Sequence, residues 1–172
     1  MLLALRAPVF ASPSLEYEVK AAFLYNFVNF VSWPAGTFSE PSDPVRVCVV
    51  GDDPFGPMLD RTMQGGVAAV THPIIIERAR DNDAAARCLV IFVPQSMARR
   101  AEQIVRSAGS RPVLFVGESA DFLQQGGMIN FVVDGGRVRF DVNVAAASAQ
   151  GLTLSSRLLR VARKALGAAA GA

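Results

Sequence analysis

Apolar and polar positions follow one another in ordered blocks along this chain, and the most complete block lies near its end, at 126–143. Two apolar runs there flank Asp134-Gly135-Gly136, and such Asp/Gly pairs supply the positive φ angles of a tight hairpin. In the second run Val138, Phe140 and Val142 alternate with Arg137, Arg139 and Asp141, which predicts one buried face and one wet face.

Upstream, Ser14 is suited to cap a helix, with Glu16 and Glu18 in the first turn, where the helix dipole favours negative charge. Val19, Ala22, Phe23, Phe27, Phe30 and Val31 follow helical spacing, so the helix is expected to run to about Trp33 and stop at Pro34-Ala35-Gly36. Leu24, Tyr25 and Val28 add apolar bulk on its other faces. A helix that is apolar nearly all round must be covered on more than one side, by its own fold or by a partner.

Val45–Val50 is a continuous apolar run, the pattern of a strand in a sheet covered on both faces. Pro54-Phe55-Gly56-Pro57 leads into a short helix around Met58–Met63. Thr71–Glu77 reads as a second strand, with Pro73 suited to its start or to a sheet edge. Arg87–Val93 and Pro112–Val116 are the third and fourth strands, followed by helices from Pro94 to about Ala108 and from Gly117-Glu118-Ser119 to Gln125. After the hairpin come a short helix at Val144–Gln150, a break at Gly151 and a last helix from about Ser155 to Leu166. In that helix Leu158, Val161, Ala162, Ala165 and Leu166 share a face, opposite Arg157, Arg160 and Lys164. Its apolar side is expected to pack on the core.

Strands alternating with helices and then a hairpin predict an α/β layered fold. The expected sheet is mostly parallel and roughly six-stranded, ends in an antiparallel hairpin, and carries helices on both faces. No internal repeat or domain boundary is visible, so 12–166 reads as one domain and 167–172 as a flexible tail.

Composition changes this picture little. A chain of 172 residues, 51% hydrophobic and 19% charged, is long enough for one substantial core. The net charge of +2 is spread along the chain, which gives no basic face for nucleic acid. Met1–Ala11 reads as the tail of a secretory signal, with Val9 and Ala11 in the small-residue pattern before a cleavage site near Ala11–Ser12. No later apolar run is long enough to span a bilayer.

Catalytic signatures are missing from the sequence. His72 is the only histidine, lies just before Pro73, and has no Gly-x-Ser-x-Gly partner motif, so it is expected to be structural. One histidine and two cysteines do not make a zinc site, and no metal or other cofactor is expected. Phosphate-loop and dinucleotide glycine signatures are absent. Asp52 and Asp53 follow the first strand, where open α/β sheets bind ligands, but Asp53 serves equally well as a cap for the helix opening at Pro54. Phe55 beside them, Gln95 and Ser96 after a later strand, and Glu118 and Ser119 after another would gather at one end of the sheet. Backbone amides at helix starts would face a ligand or partner there.

Four blocks taken together carry a resemblance: Val19–Phe27, Gly51–Gly56, the hairpin block at 126–143, and Gly151–Leu159. Over roughly residues 16–166 the chain resembles the YfiR family. The resemblance implies a non-enzymatic periplasmic protein that binds the periplasmic domain of a membrane-bound diguanylate cyclase. Docking would hold the cyclase inactive and keep cyclic di-GMP and biofilm formation low. It further implies an outer-membrane lipoprotein that sequesters the repressor, and a homodimer stays open. Cys48 and Cys88 resemble one of the family's disulfides in position, while a second family pair nearer the C-terminus has no counterpart. Two buried free thiols in adjacent strands are the other reading of that pair.

Two readings of function follow: a binding repressor, or a periplasmic small-molecule-binding α/β module. For the repressor, Leu24, Tyr25 and Val28 on the first helix and Phe55 in the turn are the expected partner surface, since the core need not consume them. The solvent-facing hairpin residues Arg137 and Arg139 are the fallback.

Overall fold

The computed structural model of the chain describes residues 13–65, 72–80 and 83–167. The expected signal remnant, its cleavage point and most of the expected tail lie outside the described residues. The described residues form an α/β fold around one seven-stranded, mostly parallel sheet.

Helix α1 (Pro13–Phe30) opens the chain, and a two-residue strand β1 (Val31–Ser32) follows it directly. Strands β2 (Val45–Val50), β3 (Ile74–Ala79), β4 (Val90–Val93), β5 (Leu114–Gly117), β6 (Ile129–Asp134) and β7 (Arg137–Asn143) build most of the sheet. Between them lie α2 (Pro57–Gln64), α3 (Ala84–Arg87), and a 3-10 turn at Gln95–Arg100 that runs into α4 (Ala101–Arg106). The chain closes with α5 (Val144–Ala149), β8 (Thr153–Leu154), α6 (Ser156–Val161) and β9 (Lys164–Leu166). Side chains hold two of these starts: Asn143 caps α5 through the Ala146 amide, and Ser155 caps α6 through the Leu158 amide.

The strand order is β3-β2-β4-β5-β6-β7-β9, with every neighbour parallel except the β6–β7 hairpin. Every residue of β4 and β5 is buried, as befits central strands covered on both faces. Pro73 immediately precedes β3, and β3 is an edge strand, the position a proline tolerates. The hairpin pairs Phe131 with Phe140 and turns on Gly135 and Gly136, at φ of 57° and 76°.

Helix α1 explains its own all-round apolarity. Phe27 packs edge-on to Phe140 at 4.9 Å and stacks on Phe131 at 5.6 Å, which seats one flank on the hairpin. Another flank meets α2, and α6 also touches the helix. Leu24, Tyr25 and Val28 are therefore core residues, only 0%, 8% and 6% exposed, rather than a surface left for a partner. The fold covers this helix on several sides by itself.

Several elements differ from the sequence expectation, each for a physical reason. Helix α1 stops at Phe30, three residues early, because Val31 and Ser32 pair with Leu154 and Thr153 in a small antiparallel sheet. The segment after Glu118 folds as turns and not as a helix. There the fully buried Phe122 ring lies so close to Gly117 and Gly127 that a Cβ on either would sit 2.5 or 2.2 Å from it. The sheet gains a seventh strand because the last helix ends at Val161. Arg163 then grips Asp141 with two nitrogens, at 2.8 and 2.5 Å, and its amide donates to the Phe140 carbonyl. That clamp turns Lys164–Leu166 into β9 beside β7, leaves Asp141 buried instead of wet, and leaves Val161 and Leu166 exposed instead of on the core face.

Candidate functional site

The chain leaves β2 to form β3 on one side and later returns to form β4 on the other, so the topological switch of the sheet lies between β2 and β4. Open α/β sheets bind their ligands outside the carboxyl ends of the strands at such a switch. In this chain the first half of α1 lies over that position. The Tyr17 ring meets Phe55 edge-on at 5.3 Å, and Phe55 meets Phe92 of β4 at 4.8 Å. Phe55 is thus 4% exposed and belongs to the core, not to a free loop surface.

Beside this aromatic plug sits a buried polar clasp. Lys20, in the middle of α1, is 3% exposed; its ammonium donates to Glu118 at 2.6 Å and also pairs with Glu16 one turn earlier. It lies 4.5 Å from the centre of the Tyr17 ring, within cation–π range. The other Glu118 oxygen accepts the Gln95 backbone N–H at 2.9 Å, and Glu118 also accepts the Tyr17 hydroxyl at 3.2 Å. Burial, and next the charge of Glu118, push the Tyr17 hydroxyl far above the ordinary phenol value, so it stays a donor at physiological pH. The clasp ties α1 to the ends of β4 and β5.

Gln95, Glu118 and Ser119 do come together, as the sequence placed them. They line a cleft of about 700 Å³ with Glu16, Tyr17, Lys20 and Asn130. Asn130, 5% exposed, donates to the Ser119 carbonyl at 3.0 Å, and its side-chain oxygen Oδ1 has no hydrogen-bond partner among the described residues. Asp52, Asp53 and Ser96 do not line that cleft. Asp53 accepts the Phe55 N–H at 2.8 Å in a local turn and receives the Arg78 guanidinium at 2.9 Å. Arg78 also pairs with Asp60, so Asp53 holds the loop after β2 and does not cap α2 directly, whose first flanking residue is Gly56. Asp52 and Ser96 are exposed.

Cys48 and Cys88 form a disulfide with Cα atoms 6.0 Å apart, both fully buried. Cys88 precedes β4 at the end of α3, so the bridge does not join directly opposed strand residues. Glu77 lies close to both sulfurs, but these are bonded to each other and its carboxylate holds Arg46 and Arg87. His72 stacks on Phe38 at 3.8 Å, with its Nδ1 3.0 Å from the Asp43 carbonyl, which is packing and not catalytic geometry. Arg137 and Arg139 are exposed on the hairpin. Tyr17, Lys20, Asn130 and the Asp141–Arg163 clamp escaped the sequence reading. The one available signal was Lys20 inside an apolar helix with Glu16 four residues before it.

The family described as YfiR/HmsC-like matches residues 17–163, from the tyrosine of the clasp to the arginine of the clamp. The chain belongs to the YfiR/HmsC-like family. The family is one of periplasmic regulators of diguanylate cyclase, regulatory rather than catalytic in kind. The disulfide is consistent with an oxidising compartment. Among the described residues no helix is long and apolar enough to cross a membrane.

Two solved structures share the fold of this YfiR/HmsC-like chain. One is a conserved domain protein from Vibrio cholerae O1 biovar eltor, at TM-score 0.58 and 13% identity, covering 87% of this chain and 60% of the other. The second is the ABC domain in complex with L-Trp from Streptococcus pneumonia, at TM-score 0.58 and 10% identity, covering 85% of this chain and 60% of that one. This chain thus spans about 60% of the length of each. At such identities the likeness concerns the fold alone.

Proposed function

We propose that this chain is a binding repressor of a membrane-bound diguanylate cyclase, acting on the cyclase's periplasmic domain to lower cyclic di-GMP and biofilm formation. The observation that carries the reading is the family match across residues 17–163. The geometry agrees with it. The switch-point crevice is filled by the chain's own Tyr17 and Phe55, and the single histidine is packed against Phe38. Repression by docking needs only that the chain bind the inactive cyclase more tightly than the active one. An outer-membrane lipoprotein competing for the same surface would release the cyclase, and a few kcal/mol of differential affinity suffices to move that population.

The test is direct binding of the purified, disulfide-bonded chain to the isolated periplasmic domains of the membrane-bound diguanylate cyclases of the same organism. Saturable 1:1 binding supports the reading, and no binding at micromolar concentration overturns it. A second reading, a small-molecule-binding module, is favoured by one observation: the Asn130 Oδ1, unpartnered among the described residues, at the 700 Å³ cleft. A ligand donating an N–H or O–H to it would stabilise Asn130→Leu, which has no acceptor there, less than the native chain, which thermal-shift screening reads.

A further inference from the structure

A second concavity, away from the clasp, lies between α1, β7 and α6 and encloses about 510 Å³. That is within the roughly 300–1,000 Å³ of ordinary binding pockets. Phe23, Phe27 and Phe30 enter it from α1 at helical spacing, Phe140 enters from β7, and Val161 enters from α6. Val161 is 59% exposed, the most exposed large apolar side chain among the described residues. Arg139 and Arg157 also line the groove, and no carboxylate does.

The two arginines set the chemistry of the occupant. Arg46, Arg78, Arg87, Arg106 and Arg163 each close on a carboxylate of the chain itself. Arg139 and Arg157 have no ion pair or hydrogen bond among the described residues. An apolar floor beside two uncompensated guanidinium groups is complementary to a surface that is apolar in the middle and negative at its margin. The neighbouring strand adds a further opening. On the side away from β6, β9 pairs only with Asp141–Asn143, so among the described residues β7 has no strand partner there at Arg137–Arg139.

We propose that this groove seats an acidic, apolar segment of the protein that the chain regulates. Apolar side chains of that segment insert among the phenylalanines, and its carboxylates meet Arg139 and Arg157. The proposal rests on the binding-repressor reading and adds the surface and the chemistry of the partner. It moves the partner surface from Leu24, Tyr25, Val28 and Phe55, which the core consumes, to the other flank of α1 and the start of β7.

The experiment pans a random displayed-peptide library on the full disulfide-bonded chain, then measures the selected peptides on Arg139→Glu/Arg157→Glu and on Val161→Asp. All three positions are exposed, and retained melting temperatures verify that the variants fold. The expected peptides combine Asp or Glu with large apolar residues, bind the charge-reversal variant at least tenfold more weakly, and compete with the cyclase periplasmic domain. Selecting no such peptides, or binding to both variants as tight as to the native chain, overturns the proposal. If the cyclase domain binds native chain and variants equally, the groove is wrong while the repressor reading stands. If peptides select as expected but the cyclase domain does not bind at all, the groove stands and the repressor reading fails.

Discussion

Replacing Lys20 with Met deletes the cation at the centre of the clasp, and the structure sets the size of the effect. The Lys20 and Glu118 side chains are 4% and 5% exposed and 2.6 Å apart. At an effective dielectric near 20, such contact is worth about 4–6 kcal/mol of attraction. Desolvating the two charges offsets most of that, so the intact pair contributes little net. Lys20→Met keeps the desolvation of Glu118 and loses its cation, which costs about 3–5 kcal/mol when a buried pair is broken from one side. The Tyr17 hydroxyl and the Gln95 N–H still donate to Glu118, which places the expectation at the lower end, about 3 kcal/mol. Glu118→Gln is milder, at about 2 kcal/mol or less, because Lys20 retains Glu16. The double variant should cost less than the sum, with a coupling of about 2 kcal/mol. Urea titration at neutral pH, followed by far-ultraviolet circular dichroism, measures all four corners of the cycle. Two single substitutions that each cost under about 1 kcal/mol and add without coupling would refute the buried clasp.

Three further outcomes follow from other parts of the fold. Replacing Cys48 and Cys88 together with Ala should cost roughly 4 kcal/mol on the chain-entropy model for a 40-residue separation, and a urea-measured loss below about 1 kcal/mol contradicts it. Asp141→Asn should release β9, so hydrogen exchange would show the amides of Lys164–Leu166 losing protection while β5 keeps its own; unchanged protection refutes the clamp. Hydrogen bonds from Arg87 and then Arg46 hold the Glu77 carboxyl below its ordinary value of 4.5, and Arg78 holds Asp60 below 3.8. Both carboxylates therefore contribute stability that is complete above those values and is lost as pH falls through and below them. Glu77→Gln/Asp60→Asn should flatten the acid limb of stability against pH, and an unchanged slope counts against these pairs.

What was legible in the sequence was what local chemistry decides. Asp134-Gly135-Gly136 announces the hairpin because few other residues adopt its positive φ angles. Val45–Val50 and Val90–Val93 read as strands because burial on both faces leaves an unbroken apolar run. Gln95, Glu118 and Ser119 could be gathered at one end of the sheet because strand direction follows from the alternation of elements. The errors lie where distant groups decide. Ser155–Leu166 has helical spacing throughout, yet Arg163 finds Asp141 across 22 positions and the helix ends before it. Nothing near Lys20 announces that its ammonium reaches Glu118, 98 residues away. Leu24, Tyr25 and Val28 looked dispensable to the core because one helix alone does not reveal how many neighbours will cover it.

The central claim is repression by docking, and one reconstitution tests it most directly. The full-length membrane diguanylate cyclase whose periplasmic domain binds this chain is placed in nanodiscs, which leave both membrane faces accessible, and cyclic di-GMP synthesis is followed as the purified, disulfide-bonded chain is added. The account predicts a saturable fall in synthesis that plateaus near one chain per cyclase subunit, is unchanged by Asp52→Asn, and is weakened by Arg139→Glu/Arg157→Glu. Synthesis that stays constant at saturating chain, with the cyclase shown to be active and its periplasmic domain intact, would contradict it.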